Sequence, residues 1–296
     1  MVLPRISIVT PCHNQVKFIE RTLCSVLDQD YPDLEYLVVD ACSVDGTDQI
    51  IRHYRDELTW WSRLPTAVPA EAINLALQRA TGQIVAILDG DAIYMPGALD
   101  AVARDWSRSD RPRWLIGHAC GVDCDDQFQG RTDAQPVDTL ADFVTARSGR
   151  WITAASFFDR TFLEAYGPWD NSLRFCFAYE YWCRLLAGGQ RPVVVPDKVL
   201  AAFRTANGGL SRLDLVHKAM ETANASLRYG ERLPRSERLH LHRTCSAQRR
   251  ILAEAEAELT SRNMPVLEPT ADHQAVQVAK GPTSQGMRLR PTRPAA

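Results

Sequence analysis

Ile84-Val85-Ala86-Ile87-Leu88 is an unbroken apolar run that ends on Asp89-Gly90-Asp91. A strand that is apolar at every position has no face for water, so it belongs in a sheet covered on both sides. Two further runs precede it: Ile6-Ser7-Ile8-Val9-Thr10, and Leu34 to Asp40 with Leu37-Val38-Val39 at its centre. Helical patterns alternate with these strands over Phe18 to Leu27, Gln49 to Tyr54 and Ala70 to Arg79. Trp60-Trp61 and Trp114 to Gly117 read as shorter strands. Pro96 suits the first turn of a helix running to about Ser107. This alternation predicts an α/β domain with a mostly parallel sheet flanked by helices. Ligands of such sheets bind at the carboxyl ends of the strands. That singles out Thr10-Pro11-Cys12-His13-Asn14, Asp40-Ala41-Cys42 and Asp89-Gly90-Asp91.

The second half is less regular. Residues 122–136 are polar and read as a long loop. Ile152 to Phe158 reads as a strand, Thr161 to Tyr166 and Tyr179 to Leu186 as helices, and Val193 to Val195 and Val199 to Phe203 as two strands. From Leu213 onward, Val216, Met220, Ala223 and Leu227 form one helical stripe, and Leu241, Cys245, Leu252, Ala255 and Leu259 a second. These helices are expected to pair as an antiparallel hairpin or to serve a homodimer.

Composition narrows the function classes. The 296 residues hold 34 Lys plus Arg against 36 Asp plus Glu, a net charge of −2, which argues against a nucleic-acid binder. No apolar stretch approaches the roughly 18 residues of a membrane span, and the first residues lack a signal-peptide pattern. Eight scattered cysteines fit reduced thiols rather than a disulfide framework. The expected setting is the cytoplasm. His118, Cys120 and Cys124 match no common zinc spacing. Two carboxylates one residue apart, as Asp89 and Asp91 are, can share a hard divalent cation, and a nucleoside diphosphate needs one. A nucleotidyltransferase would also use paired acids, but no glycine-rich phosphate loop follows the first strand.

Taken together, the first strand with Pro11 and Asn14, Ser25-Val26-Leu27-Asp28-Gln29, Tyr31-Pro32, Asp40 with Ser43-Val44-Asp45-Gly46-Thr47, Ala72-Ile73-Asn74, Ala80-Thr81-Gly82 and Asp89-Gly90-Asp91 resemble family 2 glycosyltransferases of the GT-A fold. Gly167-Pro168-Trp169-Asp170, Trp182-Cys183-Arg184-Leu185 and Phe203-Arg204 extend the likeness over about residues 5–205. The resemblance implies inverting sugar transfer from a nucleoside diphosphate sugar, a UDP-type donor first among them, with Mn2+ or Mg2+. By motif match, Thr10, Pro11, Asn14, Asp40 and Asp89 would bind the nucleotide, and Asp91 with Asp89 the metal. It divides the chain into a nucleotide-sugar-binding part (1–120), an acceptor-binding part (121–211), C-terminal helices (212–260) and a disordered tail (261–296).

Four positions depart from that family's pattern. Leu64-Pro65-Thr66-Ala67-Val68 replaces an acidic stretch, Ala92 a second Asp, Ala178 the catalytic Asp, and Ala206 a metal-binding His. Glu180 is the nearest replacement for the base that takes the acceptor's proton. Asn207 and His118 are the candidates for the lost metal ligand. Trp169, Tyr179 and Trp182 are the acceptor-contact candidates, since aromatic faces stack on sugars, although core packing competes for them. The acceptor is expected to be a saccharide, a natural product or a protein. The alternative is a catalytically degenerate GT-A protein that binds nucleotide sugars or serves as a scaffold. Residues 211–250 are basic and offer peripheral contact with an anionic membrane, against the plainer reading of a solvated helical face.

Overall fold

The computed structural model describes residues 3–66, 68–108, 113–146, 152–204 and 212–261. The predicted Asn207 ligand, the Ala206 substitution and the tail from 262 lie outside the described residues. The first half follows the expected alternation: β1 (Ile6–Cys12), α1 (Ile19–Leu27), β2 (Leu34–Ala41), α2 (Thr47–His53), β3 (Trp60–Leu64), α3 (Pro69–Leu77), β4 (Ile84–Ile87), β5 (Ile93–Tyr94) and α4 (Ala98–Trp106). Then come β6 (Trp114–Val122), β7 (Phe128–Thr132), α5 (Leu140–Ala146), β8 (Ser156–Asp159), α6 (Thr161–Tyr166), α7 (Phe177–Ala187), β9 (Pro192–Arg204), α8 (Arg212–Gly230) and α9 (Arg235–Ser261).

One sheet runs in the order β3-β2-β1-β4-β8-β6-β9-β5, with β7 paired to β6. The sheet is mixed rather than mostly parallel. β3, β2, β1 and β4 are parallel, β8 runs against both its neighbours, and β6 and β9 are parallel again. Strand β4 explains its own composition. Ile84 and Ala86 pack into the layer of α1, α2 and α4, whereas Val85 and Ile87 pack into the layer of α3, α5 and α7.

Several expected boundaries move. The polar loop 122–136 contains β7, whose side chains are largely exposed; backbone pairing to β6 holds it, so no apolar alternation marks it. The two strands around Pro196 are one, β9. The ladder steps from Ile116–Val194 to His118–Val199, and this bulge takes up the proline that cannot donate. The strand expected from Ile152 begins only at Ser156, after a single 3-10 turn. Pro96 stands before α4, whose N-cap is Gly97 at φ 69°.

The lower end of the β1–β4 pair is held by a buried polar network. Ser7 Oγ donates to Glu35 Oε2 at 2.5 Å, Thr81 donates through its N–H (2.7 Å) and its Oγ1 (2.9 Å), and the Gly82 N–H donates to Ser7 Oγ. Burial disfavours the Glu35 carboxylate, yet these hydrogen bonds outweigh it and hold its pKa below the usual value.

Helices α8 and α9 form the antiparallel hairpin. His217 near the start of α8 meets Glu256 near the end of α9 at 2.8 Å, and Gly230 lies against Leu241. The hairpin docks through α8. Glu221 accepts the N–H groups of Arg174, Phe175 and Cys176 at 3.0, 2.8 and 2.9 Å, just before α7 begins. These groups lie on the turn that leads into α7, so another helix anchors that entry. Among the described residues, no helix is long and apolar enough to cross a membrane.

Glu35→Gln is expected to lower stability by about 1–3 kcal/mol at neutral pH, because an amide nitrogen would face the Thr81 donors. The folded pKa is depressed, so the wild-type contribution is present above the unfolded value of about 4.3 and fades as pH falls through the folded one. Urea unfolding of both proteins at pH 7 and pH 3 checks this. The gap between them should narrow at pH 3.

Candidate active site

The carboxyl ends of β1, β2 and β4 lie side by side, and the loops that follow them build the site. Gly90 sits so close to β1 that an added Cβ would lie 2.7 Å from Cys12 Cβ. The Gly90 N–H donates to Pro11 O at 3.2 Å, and Thr22 Oγ1 of α1 reaches Gly90 O at 3.0 Å and Ala92 O at 2.8 Å. The turn carrying Asp89 and Asp91 is thus bolted to β1 and α1. Asn14, at φ 53°, knits the other two loops. Its N–H donates to Ser43 Oγ and its Oδ1 accepts the Val44 N–H, both at 2.9 Å. The same seam continues through Gln15 N to Thr47 Oγ1 at 2.8 Å and Val16 N to Asp45 Oδ2 at 3.0 Å.

Asp40 is fully buried at the end of β2. Its Oδ1 accepts the Ser43 N–H at 3.2 Å. Its Oδ2 lies 3.2 Å from Arg63 Nε but receives no aligned hydrogen bond. Arg63, on β3, also donates to Ser43 O at 2.5 Å. Burial, then the neighbouring charge of Asp91, push Asp89 up to about 7, while Lys218 of α8 pulls it down. Burial also raises Asp91, against the opposing charge of Arg204. Arg204 is held in turn by Asp126 at 2.7 Å, which also pairs with Arg21 at 2.9 Å, and it lies over the Phe18 ring. The arrangement is a carboxylate pair that resists carrying two charges, beside a buried carboxylate with an unfilled oxygen. Such a set suits a hard divalent cation and an N–H-bearing ligand.

The glycosyl transferase family 2 profile matches residues 7–111, which include the loops from Thr10 to Asn14, from Asp40 to Ser43 and from Asp89 to Asp91. Over these residues the chain is similar to glycosyltransferase family 2. TuaG of Bacillus subtilis, named as a teichuronic acid biosynthesis glycosyltransferase, is 44% identical over 91 residues, covering 30% of this chain and 36% of TuaG. TarS of Staphylococcus aureus, a poly(ribitol-phosphate) β-N-acetylglucosaminyltransferase, is 38% identical over 92 residues, 29% of this chain and 16% of TarS. The chain therefore spans about a third or less of the length of these relatives. In fold, the crystal structure of a TarS fragment with UDP superposes with a TM-score of 0.61 at 21% identity, over 88% of this chain and 76% of that one. The mannosyltransferase PcManGT of Pyrobaculum calidifontis, solved with GDP-Man and Mn2+, gives 0.59 at 21% identity, over 90% and 77%. The fold is GT-A.

Within the matched segment and its continuation, the predicted residues separate into two groups. Thr10, Pro11, Asn14, Asp40, Asp89 and Asp91 gather at one edge of the sheet. Thr10 itself points inward to Tyr36 OH at 3.1 Å, so its contribution there is its backbone. Glu180 belongs to the second group. It is buried, pairs with Arg184 through both oxygens (2.5 and 3.2 Å) and accepts the Tyr229 hydroxyl of α8. These contacts tie α7 to α8. Trp169 is likewise core: buried, stacked on Tyr181 with ring centroids 4.7 Å apart. Tyr179 stacks on Phe143 and bonds Ser226 at 2.8 Å, and Trp182 packs edge-on against Phe143. Trp169 thus packs on α7 and β8, Tyr179 on α5 and α8, and Trp182 on α5. His118 meets Asp133 at 3.1 Å beside β7, and no group of three metal-binding side chains occurs among the described residues.

Four contributors escaped sequence reasoning. Arg63 and Thr22 carry no motif of their own. Glu221 and Lys218 sit in a helix whose approach to the site depends on tertiary packing. The family motifs at Asn74 and Arg184 prove to be braces for the Gly167–Asn171 turn. Asn74 holds Trp169 N and O, and Arg184 donates to Tyr166 O and Pro168 O.

Gly90→Ala is expected to push the Asp89–Asp91 turn off β1 and lower stability by about 1–3 kcal/mol, read by thermal unfolding. Glu180→Gln is expected to cost about 3 kcal/mol because Arg184 is left buried without its charge. A lowered urea midpoint checks it, and an unchanged midpoint would restore Glu180 as a candidate base.

Proposed function

We propose that this protein transfers a sugar from a nucleoside diphosphate sugar to an acceptor hydroxyl with inversion, assisted by Mn2+ or Mg2+. The observation that carries this reading is the Asp89-Gly90-Asp91 turn, fastened by Gly90 to β1 at the carboxyl end of β4. Oxygen ligands of this kind suit a hard divalent cation, and Asp91 with Asp89 would hold it. Bound there, it would offset negative charge on the departing diphosphate. Asp40 Oδ2, buried and without an aligned donor, would accept an N–H from the nucleobase. A UDP-type donor fits that contact, since uracil offers a ring N–H at its recognition edge. The Asn14–Ser43–Val44 seam keeps the loops on either side of the base in one register.

The acceptor is a saccharide, natural product or protein. The setting is the cytoplasm, in keeping with eight cysteines that form no disulfide, of which five are buried. A homodimer through the C-terminal helices and contact with an anionic membrane stay secondary to this reading. Arg228 and Arg250 of those helices are already paired with Asp170 and Glu254.

One observation favours a second reading, a nucleotide-sugar-binding subunit without transfer. Position 178 is a buried alanine and Glu180 is engaged by Arg184 and Tyr229. Calorimetric titration with UDP, GDP and ADP, with and without Mn2+, tests the shared core of both readings. Metal-dependent binding is expected, weakened more than about tenfold in Asp91→Ala. Absence of binding under every condition overturns both. Release of free sugar from a bound donor favours the enzyme, and binding without release favours the subunit.

A further inference from the structure

Asp91 and Arg204 come level with one another on neighbouring segments, yet they form no ion pair. In the antiparallel β5–β9 ladder Ile93 stands opposite Ala202 and Tyr94 opposite Ala201. The residue two before Ile93 therefore lies at the level of the residue two after Ala202. Those residues are Asp91 and Arg204. Residues at one level of such a ladder share a face, and opposite charges so placed attract. Here the ion-pair partner of Arg204 is Asp126, at 2.7 Å, and Asp91 has no ion-pair partner among the described residues.

Asp126 takes that guanidinium for the hairpin. It lies in the turn between β6 and β7 at φ 61°, a left-handed conformation that Asp and Asn tolerate. The turn is stiff. Asp126 N donates to Asp123 O at 3.2 Å, Asp123 N to Gln127 O at 3.0 Å, and Asp123 Oδ1 accepts the N–H groups of Asp125 and Gln127, both at 2.9 Å. Asp126 Oδ1 holds Arg204, and its Oδ2 holds Arg21 of α1 at 2.9 Å. The Arg204 side chain is 4% exposed, lies 4.1 Å from the centre of the Phe18 ring, and donates from Nη1 to Asp123 O at 2.5 Å. The residue after Arg21 is Thr22, whose hydroxyl reaches Gly90 O at 3.0 Å and Ala92 O at 2.8 Å, on either side of Asp91. One turn of α1 thus touches both the hairpin tip and the turn that carries Asp91.

We propose that Asp126 is a positioning residue of the metal site: it withholds Arg204 from Asp91 and so leaves the Asp91 carboxylate open to a divalent cation. The inference rests on the metal-assisted reading above. A buried guanidinium needs a carboxylate beside it. With Asp126 in place that need is met inside the hairpin. Without the charge of Asp126, the carboxylate at the level of Arg204 is Asp91, and a guanidinium there competes with a cation for the same oxygens.

The test is titration of the whole 296-residue chain with Mn2+, alone and with UDP present, read by the electron paramagnetic resonance of free Mn2+. Wild type, Asp126→Asn, Arg204→Gln and the double variant are compared. Asparagine keeps the left-handed turn and the size of the side chain while removing its charge. Asp126→Asn is expected to weaken Mn2+ binding about tenfold, and Arg204→Gln in that background to restore it. Arg204→Gln alone is expected to bind Mn2+ as wild type does. A residue that merely braces the fold is not rescued by the loss of a second brace. Binding in the double variant as weak as in Asp126→Asn therefore overturns the proposal, and so does weakened binding in Arg204→Gln alone. Undiminished binding in Asp126→Asn overturns it while leaving the metal reading intact. If the wild type binds no Mn2+ in either condition, the metal reading falls and this inference with it.

Discussion

Strands β1 and β4 are pressed together by glycine at both ends of β4. Below the strand, a Cβ on Gly82 would lie 2.4 Å from Ser7 Oγ; above it, one on Gly90 would lie 2.7 Å from Cys12 Cβ. Neither gap admits a side chain, so backbone approaches backbone. At the lower end that closeness delivers the Gly82 N–H to Ser7 and lets Glu35 accept three hydrogen bonds, one from Ser7 of β1 and two from Thr81. At the upper end it hangs the Asp89–Asp91 turn on Pro11 O, beside the β1 loop. Once β4 is fixed in this way, the two carboxylates have nowhere to go but the mouth of the sheet.

The electrostatics follow from that placement. Burial raises both Asp89 and Asp91, and the charge of Asp91 raises Asp89 further, an arrangement that a bound cation would relieve. Asp40 carries an oxygen that Arg63 approaches without donating well. Around these acids the loops are stiffened by their own hydrogen bonds, with Asn14 in a left-handed conformation that suits asparagine better than most residues. The site is preorganised by backbone seams more than by side-chain ion pairs.

Sequence reasoning located the site's edge because that information is local. The apolar run of β4, the acid pair directly after it and the Asn14 and Asp40 positions are all set by strand ends. The order of β8, β6, β9 and β5 was illegible for the opposite reason. β7 has a polar sequence and is held by backbone pairing, and β9 hides Pro196 in a bulge that reads as a break. The packing of Trp169, Tyr179 and Trp182 was illegible because aromatic density is the same whether rings face a sugar or one another. Their partners, Tyr181, Phe143 and Ser226, are set by tertiary contacts. Arg63 was invisible because a lone arginine in a short strand announces nothing.

Glu180 and α8 are best understood together. The carboxylate two residues after Ala178 is the nearest acid to the position where a proton acceptor is expected, yet Tyr229 of α8 and Arg184 of α7 close on it. The helix that takes Glu180 out of the solvent also caps the start of α7 through Glu221 and bonds Tyr179 through Ser226. It is therefore packed into the body of the fold. That packing changes how the departure at Ala178 is weighed: the acid two residues on is already engaged by Arg184 and by Tyr229 of α8, so its part in any proton transfer depends on how firmly α8 holds it.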